Sequence, residues 1–131
     1  MAETKIPLDL ILERMAGYFR TESVPIGNKL LVEGEDGSKF FIIAVGQVEV
    51  LSKGIHGSNL RIALLTEGEY FGESDLTSDK PSDATIRTIT PCVLLTLSRK
   101  DLDVLLAENP NLVAEFQKAI AEHQELRSSV N

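Results

Sequence analysis

Tryptophan is absent from the 131-residue chain, cysteine occurs once, histidine twice, and tyrosine and phenylalanine together supply only seven aromatic residues. Each shortage closes a class of function. A catalytic or resident metal in a small β-fold needs two or three histidines and a carboxylate converging on one ion. His56, in the hairpin tip Gly54-Ile55-His56-Gly57, and His123, on the last helix, are too few and too far apart, so no metal is expected. No nucleophile, base and orienting acid assemble around them either, which argues against an enzyme. The single thiol, Cys92, cannot close an internal disulfide. It sits in the apolar run Cys92-Val93-Leu94-Leu95 and reads as an inert, buried small hydrophobe in a reducing compartment. Seven scattered aromatics offer no base-stacking platform. A net charge of −7 lacks the basic face that nucleic acid or anionic lipid requires, so neither is expected as a direct partner. The longest apolar run, Phe40 to Val45, is far short of the roughly 20 residues of a membrane span, and Met1-Ala2-Glu3-Thr4-Lys5 lacks a signal peptide's layout. The expected location is cytoplasmic.

What the chain does have is 43% apolar residues, enough for a core without disulfides or metals. Leu8, Ile11, Leu12, Met15, Tyr18 and Phe19 recur at spacings of three and four, one face of an amphipathic helix following Pro7. The period then changes. Between about Thr21 and Leu97 come short β-type runs: Lys29 to Val32, Phe40 to Val45, Gln47 to Leu51, Leu60 to Leu65, Ala84 to Ile89 and Val93 to Leu97. Glycine or proline separates them at Gly27, Gly34, Gly37, Gly46, Gly54, Gly68, Gly72, Pro81 and Pro91. Helical spacing returns after Leu97, with Ser98 as cap and Leu102, Leu105 and Leu106 as the apolar face. Asn109-Pro110 ends that helix, and a second runs from about Asn111 to Arg127 with Leu112, Phe116 and Ile120 in register. The tail Ser128 to Asn131 is expected to fray. The plan is a mainly β fold: an eight-stranded, jelly-roll-like β-roll with one helix before it and two after. One domain over residues 1–131, with its core in 8–127, is expected.

The stretch Gly27-Asn28-Lys29-Leu30-Leu31-Val32-Glu33-Gly34-Glu35, then Phe40 to Gly46 and Gln47 to Val50, resembles the front half of the cyclic-nucleotide-binding domain family. Leu65-Thr66-Glu67-Gly68-Glu69-Tyr70-Phe71-Gly72-Glu73 and Lys80-Pro81-Ser82-Asp83-Ala84-Thr85-Ile86-Arg87 resemble the strand and phosphate-binding cassette of the same family. The likeness covers about residues 8 to 127 and implies a non-catalytic regulatory module. Its candidate ligand-binding residues are Phe71, Gly72, Glu73, Ser74, Ser82, Asp83, Ala84 and Thr85.

A cyclic nucleotide presents one delocalised negative charge, a free ribose 2′-hydroxyl and a purine. Backbone N–H groups beside a glycine can satisfy the phosphate, a carboxylate can accept the 2′-hydroxyl proton, and an arginine can pair with the phosphate oxygens. By resemblance Gly72 supplies the close approach and Glu73 the hydroxyl contact. The arginine is missing: where the family usually has arginine and a small residue before Ala-Thr, this chain has Ser82 and Asp83. Lys80 lies two residues early across Pro81, Arg87 falls where the family carries a residue pointing away from the ligand, and four acids (Glu73, Asp75, Asp79, Asp83) lie between Gly72 and Ala84. Losing one partner of a buried charge pair costs about 2–5 kcal/mol, and Asp83 beside a phosphate would add about 1–4 kcal/mol of repulsion. Ser82 and Asp83 therefore argue against cAMP or cGMP as the natural ligand. A vestigial pocket, a neutral or cationic small molecule, and a weakly held nucleotide are left open.

The segments Leu12 to Phe19 and Gly57 to Leu65 also resemble the cyclic-nucleotide-type domain inserted in encapsulin-like shell proteins of nanocompartments. That likeness implies a second role, decorating or recruiting within a larger protein assembly with no small ligand. In the first role a ligand in the roll would reposition the helices after Leu97.

Overall fold

The computed structural model describes residues 8–37, 39–54, 57, 59–72 and 81–129. The chain divides into two compact units, residues 20–99 and a helical unit made of the two flanking segments.

The first unit is the roll. Its strands are β1 (Arg20–Val24), β2 (Lys29–Leu31), β3 (Lys39–Val45), β4 (Val48–Lys53), β5 (Asn59–Leu65), β6 (Tyr70–Phe71), β7 (Thr85–Thr88) and β8 (Cys92–Ser98). They form two four-stranded antiparallel sheets, ordered β1-β8-β3-β6 and β2-β7-β4-β5. The eight-strand plan holds. The runs read from glycine spacing correspond to β2, β3, β4, β5, β7 and β8, with ends displaced by one or two residues. β1 carries Arg20, Glu22 and only one large apolar residue, Val24, so its hydrophobic alternation is too weak to read from sequence.

Between the sheets lies one apolar cluster: Leu31, Phe41, Ile43, Val48, Leu65, Phe71, Ile86, Cys92 and Leu94. Phe41 stacks on Phe71 at 4.7 Å between ring centroids, fixing β6 on β3. Cys92 is buried in this cluster, as its apolar surroundings imply. The turns are tied by backbone pairs. Gly68 N–H donates to the Ile43 carbonyl (2.8 Å) and Ile43 N–H to the Glu69 carbonyl (2.9 Å). At the β1–β2 turn the Thr88 hydroxyl donates to the Pro25 carbonyl (2.7 Å) and accepts from Asn28 N–H (2.9 Å), which accounts for a fully buried threonine.

The second unit contains α1 (Leu8–Met15), a 3₁₀ turn at Ala16–Tyr18, α2 (Arg99–Glu108) and α3 (Pro110–Ser129). α1 packs on α3. Ile11 and Met15 are buried, as are Leu112, Phe116 and Ile120, the stripe read from helical spacing, together with Val113 and Ala119. Arg14 pairs with Glu115 at 3.2 Å across the α1–α3 contact. Four expectations need correction. The first helix stops at Met15, and Tyr18 and Phe19 lie beyond it. Leu106 is 48% exposed, so the apolar face of α2 is Leu102 and Leu105 alone. Asn109-Pro110 starts a helix as well as ending one: the Asn109 side-chain oxygen accepts from Leu112 N–H (3.3 Å), and Pro110 occupies the first position, where no N–H is needed. α3 continues through Ser128 and Ser129, two residues of the tail expected to fray.

Candidate functional site

β6 and β7 are the two ends of the cassette-like segment, and each is anchored differently. Phe71 is buried in the core cluster, and Gly72 follows at φ +89°. A Cβ at Gly72 would lie 2.5 Å from the Lys39 backbone carbonyl, so glycine is required by the roll itself, for both space and backbone conformation. At the other end, Ser82 is buried and held by two backbone hydrogen bonds. Its N–H donates to the Glu35 carbonyl (2.9 Å), and its carbonyl accepts from Gly34 N–H (2.9 Å). Asp83 is exposed and Ala84 half-buried. Thr85 is buried, and its hydroxyl accepts from Glu33 N–H at 3.0 Å. The Gly27 to Glu35 stretch and the cassette, two separate parts of the resemblance, are thus joined by three hydrogen bonds. Phe71 and Ile86, neighbours of the two cassette ends, meet in the same core cluster. Glu73, Ser74, Asp75, Asp79 and Lys80 lie outside the described residues, as do His56 and the side chain of His123.

The alternation of β4 sorts the sheet β2-β7-β4-β5 into two faces. Val48 and Val50 face the interior, paired with Leu65 and Ala63 of β5 and with Thr88 and Ile86 of β7. Val50 is half-buried and Ala63 exposed, so the apolar inner wall is open on that side. The opposite face carries charge. Glu49 stands directly across from Arg87 on one side and Leu64 on the other. Its carboxylate is nearly covered, accepting from Arg87 Nε at 2.7 Å and from Arg61 Nε at 3.0 Å. The hydrogen bond from Arg87 is the main cause holding the Glu49 carboxyl below the usual range; burial works against it, and Arg61 adds to it. Arg87 therefore points away from the interior and is engaged, as its strand position implied. Lys39 is likewise paired, with Glu22 at 3.2 Å. The Glu49 pairing was not anticipated. Its signal was an acid at the centre of the apolar run Val48-Glu49-Val50-Leu51, a place where an ionised group needs a partner.

A separate cleft of about 320 Å³ opens between β1, β2 and β3, lined in part by Glu22, Val24, Lys29, Leu31, Lys39 and Phe41. None of the described cassette residues lines it. Among the described residues no three histidine, cysteine or acidic side chains are grouped to hold a metal ion, and no helix is long and apolar enough to cross a membrane.

Two antiparallel sheets, a glycine held against the neighbouring strand, and a cassette-like segment end bonded to the β2–β3 turn define a β-roll. The cyclic nucleotide-binding domain model matches residues 21–109, and the chain belongs to that family. It is similar to the cAMP-dependent protein kinase regulatory subunit of Yarrowia lipolytica, with 33% identity over 71% of this chain and 24% of that protein. The chain thus spans about a quarter of that relative's length. Among solved structures it is similar to the catabolite activator protein of Thermus thermophilus (TM-score 0.75, 25% identity, 92% of this chain and 55% of that one). It shares its fold with a cyclic nucleotide-binding domain from Methylobacillus flagellatus (TM-score 0.81, 24% identity, 92% of this chain and 68% of that one). The family is a regulatory, ligand-binding one, of mainly antiparallel β-roll architecture.

Proposed function

We propose that the chain is a non-catalytic ligand-sensing module whose cassette has lost the charge complement of a cyclic phosphodiester, and that it takes a neutral or cationic small molecule instead of cAMP or cGMP. One observation carries this reading: the buried position after Pro81, where the family's arginine is expected, is the neutral Ser82, followed by the exposed acid Asp83. No described neighbour compensates. Arg61 and Arg87 are committed to Glu49 on the outer face, and Lys39 is paired with Glu22. What remains of the inner wall is suited to an uncharged body: Val50, Ala63 and Ile86 are apolar, with Val50 half-buried and Ala63 exposed.

The test is a thermal-shift titration with cAMP and cGMP. A micromolar ligand at ~1 mM would stabilise the fold by roughly 4 kcal/mol, a shift of many degrees. The expected shift is within the noise of the assay. A rise of several degrees with either nucleotide overturns the reading.

A further inference from the structure

β5 closes one side of its sheet: it bonds to β4, and no other described strand pairs with it. Every residue from Asn59 to Leu64 is exposed, including Leu60 at 55%, Ile62 at 62% and Leu64 at 47%. Natural edges are ordinarily blunted by charge, bulges, proline or brevity; this one carries one charge, Arg61, and one bulge, but is seven residues long without proline. An irregularity between Val50 and Leu51 sets Arg61 opposite Leu51, which leaves Ile62 as the extra residue of a bulge. As a result Arg61 and Leu64, three residues apart, share the outer face with Glu49 and Arg87, with the exposed Ile62 in the bulge between them.

That face has a charge opposite to that of the chain as a whole. Lys29 stands across from Arg87, Arg87 across from Glu49, and Glu49 across from Leu64, forming one row over four strands. Two cations, Arg61 and Arg87, thus bracket one carboxylate, with Lys29 on the far side of Arg87, and the two guanidinium side chains remain 52% and 41% exposed after pairing with it. Glu49 stays ionised, so it cancels one of the three charges. Farther along, Glu33 and Lys53 add one charge of each sign. The patch keeps a local positive excess on a chain of net charge −7, and it borders two exposed apolar side chains on an open strand edge.

We propose that the β5 edge is a docking site for an extended acidic–apolar protein segment, which adds as a further strand beside β5. Its backbone takes up the edge hydrogen bonds, its apolar side chains cover Ile62 and Leu64, and its carboxylates pair with the exposed sides of Arg61 and Arg87. The site is distinct from the cassette and does not depend on what ligand the cassette takes.

The test uses the full chain and two capped eight-residue peptides, one alternating valine and glutamate, the other valine and lysine, titrated against the ¹⁵N-labelled protein. The valine–glutamate peptide is expected to give saturating amide shifts centred on residues 59–65 at up to ~1 mM, despite the unfavourable overall charge. Arg61→Gln should weaken that binding at least about tenfold, and Leu64→Asp should abolish it, with the melting temperature of each variant checked against the parent. Arg61→Glu should move the preference to the valine–lysine peptide. No shift at residues 59–65 with the acidic peptide, equal shifts with both peptides, or binding undiminished in Arg61→Gln would each overturn the proposal.

Discussion

Gly72 and Ser82 stand at the two ends of one segment, yet they are constrained by different things. At Gly72 the constraint is steric and lies within the roll: φ is positive and the Lys39 carbonyl occupies the space a side chain would need. At Ser82 the constraint is on the backbone, whose N–H and carbonyl are bonded to Glu35 and Gly34. On the proposed reading the two anchored ends keep their places while the charge complement is lost. Family membership, which follows from architecture, and ligand identity, which follows from a few side chains, would then separate at this point.

The largest effect expected from breaking this contrast is at the glycine. Gly72→Ala puts a Cβ against backbone at a left-handed φ, and should cost about 2–4 kcal/mol or prevent folding, measured by denaturant unfolding. A neutral result would mean that the Lys39 strand yields easily and that Gly72 is kept for a ligand. Glu49 tests whether Arg87 belongs to the sheet instead of the cassette. Because its folded carboxyl sits below the usual range, its contribution is complete above the unfolded value of about 4.3 and is lost as pH falls through the lower folded one. Glu49→Gln should therefore lose about 1–3 kcal/mol at pH 7 and show a flatter fall in stability below about pH 4 than the parent. An unchanged acid slope would contradict the pairing. At the far end of the cassette, Thr85→Val removes the acceptor for Glu33 N–H and should cost about 1–2 kcal/mol, whereas Asp83→Ala, two residues earlier and exposed, should stay within about 0.5 kcal/mol of the parent.

Much of this was legible in the sequence because glycine and proline punctuate the chain where the roll turns. Gly34, Gly46, Gly68 and Gly72 all adopt positive φ, so their spacing reports real geometry. The bulge at Arg61 and Ile62 was not legible, since an apolar–polar alternation interrupted by one extra residue looks like ordinary variation until the partner strand is known. Nor was the exposure of β5. Leu60, Ile62 and Leu64 have the composition of a buried strand, and only the sheet order places them at an edge. At the candidate site, the substitution of Ser82 and Asp83 could be read directly. The three hydrogen bonds that tie the cassette to Glu33, Gly34 and Glu35 could not, because two of them join backbone groups and the third joins a backbone N–H to a side chain across 52 residues.

We propose that the cassette lacks only its cation. Titration calorimetry with cAMP on the parent and on the double variant Ser82→Arg/Asp83→Ala tests it directly. Gly72, Ala84 and Thr85 already match the family's sequence pattern, and the variant adds the arginine and removes the neighbouring acid. The expected result is no saturable heat for the parent and a gain of about 2–5 kcal/mol for the variant, roughly thirty-fold to several-thousand-fold in affinity. Micromolar binding by the parent, or a folded variant that binds no more tightly, would contradict the claim.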